Sequence, residues 1–90
     1  MSDRDEELLA LLSRAALEVV GRRLEGLEMD TRLTELGIDS VGVLEMVGYV
    51  EDELGLRFPD DEIARLATVR DVALLVARTR RSTGSIEEAT

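Results

Sequence analysis

The sequence predicts an all-α fold: a four-helix bundle of three longer helices and one short helix, with a long loop between the first and second helices. Three observations carry this. Of the 90 residues, 44% are hydrophobic but only 2% aromatic, so the core must be assembled from Leu, Val, Ile, Met and Ala, which suits helices better than aromatic-rich strands. The apolar residues recur at helical rather than alternating spacing. Gly and the single Pro fall where helix ends are expected.

The first helix is predicted from about Asp3 to Val20, with Ser2 as its cap and Asp3, Asp5, Glu6 and Glu7 complementing the positive end of its dipole. Leu8, Leu12, Ala15 and Val19 form its expected buried stripe, and Gly21 is its expected stop. The connection over residues 21–39 is too long to be structureless in a compact domain, so it should contain a short helical turn. Leu33, Leu36 and Ile38 are expected to pin it across the bundle, while Gly26 and Gly37 let the backbone bend.

A second helix should begin at Asp39 or Ser40 and end near Gly55. At the helical rotation of about 100° per residue, Val43, Val47, Val50 and Leu54 share one arc with Met46 on its edge, and these are the predicted core positions. Val41, Glu45, Gly48 and Asp52 lie opposite, flanked by Leu44 and Tyr49. Such a mixture of apolar and acidic groups suits a protein partner.

Pro59 followed by Asp60, Asp61 and Glu62 opens a short third helix of about two turns that buries Ile63 and Leu66. Thr68, with Asp71 three residues on, is a variant capping box that opens the last helix; Val72, Leu75, Val76 and Thr79 share its inner side, and Arg78, Arg80 and Arg81 sit at its negative end. Domain organisation follows as one domain over residues 1–81 and a disordered tail over residues 82–90, because "STGSIEEAT" has little to bury.

Charge and inventory narrow the function. Eleven Arg, no Lys and no His against twenty acids give a net charge of −9, which repels nucleic acid and anionic membrane alike. Basic proteins are therefore the expected partners of a chain predicted to be monomeric. Cysteine is absent, so no thiolate nucleophile or disulfide exists, and without His or Lys no ordinary base is at hand to activate a serine. The sequence thus predicts no enzyme. No metal is expected either, because the acidic clusters Glu51 to Glu53 and Asp60 to Glu62 lack the alternation and Gly of an EF-hand loop. The segment "MSDRDEELLALL" has acids where a signal peptide has basic residues, and no apolar run approaches the ~20 residues of a membrane span, so a cytoplasmic location is expected.

Ser40 is what this inventory leaves unexplained. A Ser at a helix start can cap the helix, attack a substrate, or carry a group mounted by another enzyme. Attack lacks a base, and Asp39 is itself an adequate cap.

The order of acidic helix, long loop, Gly37-Ile38-Asp39-Ser40-Val41 at the start of the second helix, short third helix and final helix resembles the acyl carrier protein family from about Leu8 to Ala77. In that family a G-x-D-S-[LV] motif opens the second helix, and its Ser is esterified through phosphate to 4′-phosphopantetheine taken from coenzyme A. The acidic run Glu51, Asp52, Glu53 and the Phe58-Pro59-Asp60 start of the third helix belong to the same resemblance. It implies that Ser40 carries the arm, with Gly37 and Asp39 completing the motif, and that acyl intermediates ride on it as thioesters for a polyketide or fatty acid synthase. It further implies that Val41, Leu44, Glu45, Gly48 and Asp52 face a phosphopantetheinyl transferase, an acyltransferase, a ketosynthase and other synthase enzymes with basic docking patches.

Two positions depart from the family pattern. Gly42 stands where members often have a polar or acidic residue, and Gly48 where a larger apolar one is common, so both are expected to weaken the helix on or near the docking face. Together with the Arg-only composition they incline the reading toward polyketide synthesis. The competing reading is an acidic helical interaction module without a prosthetic group, in which Ser40 is an ordinary cap.

Overall fold

Acidic side chains at one end and a left-handed glycine at the other delimit the first helix. In the computed structural model, which describes the backbone of residues 3–89 and the side chains of residues 3–81, α1 runs Asp3–Ala15 and continues as a π turn over Ala16–Val20. Gly21, at φ +71°, closes it by donating its N–H to the Ala16 carbonyl. The expected Ser2 cap lies outside the described residues. Leu8, Leu11, Leu12, Ala15 and Ala16 are buried, whereas Val19, expected in the stripe, is only half-buried. The wider π turn advances the helix by an extra residue and so rotates Val19 away from the core.

The connection does contain a helical turn, a 3₁₀ segment over Leu33–Leu36. Backbone hydrogen bonds tie this loop to the start of the last helix: Leu33 N–H donates to Ala67 O at 2.8 Å, Val69 N–H to Thr31 O at 3.0 Å, and Arg70 N–H to Met29 O at 2.8 Å. Met29 and Leu33 are buried beneath it, with Leu36 and Ile38 half-buried. Its polar backbone is thus satisfied without a sheet.

Helix α2, Ser40–Leu54, has Asp39 as N-cap and Gly55 at φ +66° as C-cap. Its inner face is Gly42, Met46, Val47 and Val50; Val43 and Leu54, expected at the centre of the core, are half-buried. The stripe is turned toward Gly42 because Val20 and Ile38 pack on that side. Helix α3, Asp60–Ile63, is a single turn, shorter than expected, with Ile63 and Leu66 half-buried.

Helix α4, Val69–Ala89, opens with the predicted capping box. Asp71 Oδ2 accepts the N–H groups of Ala67 (2.9 Å) and Thr68 (3.1 Å), and Thr68 Oγ1 accepts that of Asp71 (3.2 Å). The two backbone donors, Ala67 first, hold the Asp71 carboxyl below its ordinary pKa, and the Thr68 hydroxyl and Arg70 act in the same direction. The helical backbone continues through residues 82–89, where the composition predicts a tail: no Pro interrupts it, and an established helix adds a hydrogen bond with each residue. Arg78, Arg80 and Arg81 therefore lie within α4 rather than in its last turn, and Arg78 reaches α3 to pair with Glu62 at 3.1 Å. Side chains from α1, α2, α4 and the loop meet with Leu56 and Phe58 in one core, in which Val50, Val69, Val72 and Leu75 are almost sealed.

Candidate functional site: the turn into the second helix

Gly37 ends the 3₁₀ turn at φ +72°, a conformation that strains any side chain, and a Cβ there would come within 2.8 Å of Arg22 Nη2. The glycine is thus required twice, for its backbone and for the guanidinium lying over it. Asp39 follows in extended conformation, at φ −75° and ψ 175°. Its Oδ1 accepts the Gly42 N–H at 2.8 Å, and its carbonyl accepts the Val43 N–H at 2.9 Å. Asp39 is the cap.

Ser40 is consequently the first helical residue and exposed, with the capping role already filled by its neighbour. The N–H groups of Ser40 and Val41 remain at the open end of α2, where helix geometry provides no carbonyl for them. An anion mounted on Ser40 Oγ lies beside those donors and the positive dipole end of a 15-residue helix, which stabilise it. A phosphodiester-linked arm fits this turn: it needs an accessible hydroxyl and an anion-tolerant surface, and both are present. Gly37, Asp39 and Ser40 are brought together as the motif implies.

Gly42 is not part of the outer face, contrary to expectation. It is buried, and a Cβ there would stand 2.4 Å from Ile38 Cγ2, 3.3 Å from Asp39 Oδ1 and 3.6 Å from Val20 Cγ2. Its missing side chain is the space into which Ile38 packs. Gly48, by contrast, has open space where a Cβ would be.

Down the outer face of α2 from Ser40, Val41 is 62% and Leu44 55% exposed, Glu45 and Asp52 are exposed, and Gly48 is half-buried. The acidic run at the end of the helix is divided in its roles. Glu51 turns inward and accepts the Phe58 N–H at 2.7 Å, and Glu53 faces Arg14 at 3.6 Å. Asp52 alone of the three has no such partner among the described residues. An open groove of about 650 Å³ between α1 and α4 borders Leu54, at the far end of α2 from Ser40, and is separate from this turn. No helix among the described residues is long and apolar enough to cross a membrane, and none of their acidic side chains group in a way that could hold a metal ion.

Sequence reading misses two contacts here, Arg22 over Gly37 and Ile38 on Gly42. The second left a trace, since Ile38 and Gly42 are four residues apart and so stack on one face where a helix begins.

The family model for the phosphopantetheine attachment site matches residues 10–76. The chain is 38% identical over 74 residues to an acyl carrier protein of Arthrobacter sp. (strain FB24), covering 81% of this chain and 91% of that one. Among solved structures, an acyl carrier protein from Thermotoga maritima superposes with a TM-score of 0.83 at 31% identity, covering 90% of this chain and 95% of that one. The acetyl actinorhodin acyl carrier protein from Streptomyces coelicolor gives a TM-score of 0.67 at 28% identity, covering 88% and 92%.

Proposed function

The chain belongs to the acyl carrier proteins of the phosphopantetheine attachment-site family, and on that premise we propose that Ser40 is the residue that bears its covalent arm. Members of this family are carriers in fatty acid or polyketide synthesis and not enzymes, and they work with synthase enzymes and a phosphopantetheinyl transferase. The observation that supports Ser40 most is the division of labour at the start of α2: Asp39 caps the helix, so the adjacent exposed hydroxyl is available for modification.

When attached, 4′-phosphopantetheine supplies the thiol that this cysteine-free chain lacks, on which an acyl group is held as a thioester. The residues of the chain hold and present the arm. The first N–H groups of α2 stabilise the phosphate, Gly37 and Asp39 set the direction in which Ser40 points, and Val41, Leu44, Glu45, Gly48 and Asp52 form the face offered to basic partner enzymes. Gly42, being buried, leaves this face and no longer bears on which pathway the carrier serves. The carrier domain is placed at residues 1–81, whose core side chains end at Leu75.

Intact mass after incubation with coenzyme A and a broad-specificity phosphopantetheinyl transferase tests the assignment. The wild type gains one phosphopantetheinyl group and Ser40→Ala gains none. Modification of Ser40→Ala would move the attachment to another residue, and an unmodified wild type would refute it.

A further inference from the structure

We propose that Ile38 and Gly42 act together as a lock that positions Ser40 for modification, an inference that rests on Ser40 being the attachment residue. Ile38 is the residue between Gly37 and Asp39, and its Cγ2 occupies the place of the side chain that Gly42 lacks, 2.4 Å from where a Cβ would be. That methyl is attached directly to a β-branched carbon, so it can move only by rotating a stiff χ1 or by shifting the backbone at residues 38 and 39. The same missing Cβ would lie 3.3 Å from Asp39 Oδ1, the oxygen that accepts the Gly42 N–H at 2.8 Å. One small residue therefore seats the side chain before the cap and receives the cap's hydrogen bond, with Ser40 held between the two.

The consequence is chemical. In the transfer, Ser40 Oγ forms a bond to the phosphorus beside the pantetheine of coenzyme A and the pyrophosphate P–O bond breaks. The adenosine bisphosphate half leaves with the electron pair, and the hydroxyl proton passes to a base of the transferase. Attack in line with the breaking bond is sensitive to the position of the oxygen, and a displacement of about 1 Å costs up to ~10²-fold in rate.

The experiment compares wild type, Gly42→Ala, Ile38→Ala and the two double variants of Gly42→Ala with Ile38→Ala or Ile38→Val. It reads the transferase kcat/KM and the amide exchange rate at residue 42. Gly42→Ala is expected to lower kcat/KM about tenfold or more, chiefly in kcat, and to speed exchange at residue 42. Adding Ile38→Ala, which removes Cγ2, restores both, whereas Ile38→Val, which keeps Cγ2, restores neither. General loss of packing would instead make the Ile38→Ala double variant worse. A Gly42→Ala protein with wild-type kcat/KM and slow exchange, or a double variant without rescue, overturns the lock alone. A wild type that takes up no group overturns the attachment reading, and the lock with it.

Discussion

The Glu51 carboxylate accepts the backbone N–H of Phe58 at 2.7 Å, across the turn that Gly55 makes at the end of α2. Phe58 is buried, and its amide lies in a part-buried setting where water is a poor substitute. Glu51→Ala should therefore lower stability by about 1–3 kcal/mol, the cost of orphaning such a donor. Asp52→Ala, one residue on and exposed, should change it by no more than about 0.5 kcal/mol. Urea unfolding of the two variants decides the matter, and equal midpoints would show that the Glu51 contact contributes nothing.

Asp71 makes stability depend on acid. Its carboxyl pKa is lowered in the folded state, chiefly by the Ala67 and Thr68 N–H groups, whereas in the unfolded chain it returns to an ordinary value near 3.8. Above that value both states are ionised and the stabilisation is fully present. As the pH falls below about 3.8 the unfolded chain takes up the proton first, and the stabilisation is lost progressively down through the folded-state pKa. A stability–pH profile of Asp71→Ala should be flatter than the wild type below pH about 4, with the two curves parallel near neutrality. Parallel curves throughout would remove Asp71 from the acid response.

Much of the bundle is legible in the sequence because its ends are written in local chemistry. Asp39, Gly55 and the Thr68–Asp71 pair each fix a terminus through bonds to backbone within a few residues, and those termini stand where the sequence places them. The phase of α2 is less legible. Periodicity alone centres the core on Val43 and Leu54, but Val20 and Ile38 arrive from outside the helix and draw the buried stripe toward Gly42. The charges at Glu51, Asp52 and Glu53 are visible as a run, whereas their separate duties depend on the positions of Phe58 and Arg14, which only the folded chain sets.

The two glycines inside α2 should respond in opposite directions to the same change. Helix propensity alone favours Ala over Gly by about 0.5–1 kcal/mol at either position. At Gly48 a Cβ meets open space, so Gly48→Ala should gain that amount. At Gly42 the collision with Ile38 Cγ2 outweighs the gain, and Gly42→Ala should be destabilised despite its better propensity. Thermal unfolding of both variants reads the sign directly, and a stabilised Gly42→Ala would mean that Ile38 moves aside at little cost.

The outer face of α2 combines two kinds of contact that salt separates. Glu45 and Asp52 are exposed charges on a chain of net charge −9, and their attraction for a basic partner acts mainly through the encounter rate. Glu45→Lys and Asp52→Lys should each lower the transferase kcat/KM at low ionic strength, by roughly a few-fold to tenfold. The difference from wild type should shrink as the screening length falls from about 10 Å at 0.1 M salt to about 3 Å at 1 M. Val41 and Leu44 contribute apolar area instead, so Leu44→Ser should weaken the interaction to a similar degree at every salt concentration. Charge-reversed variants that modify at the wild-type rate in low salt would place the docking surface elsewhere, and a Leu44→Ser defect that vanishes in high salt would make that contact electrostatic in origin.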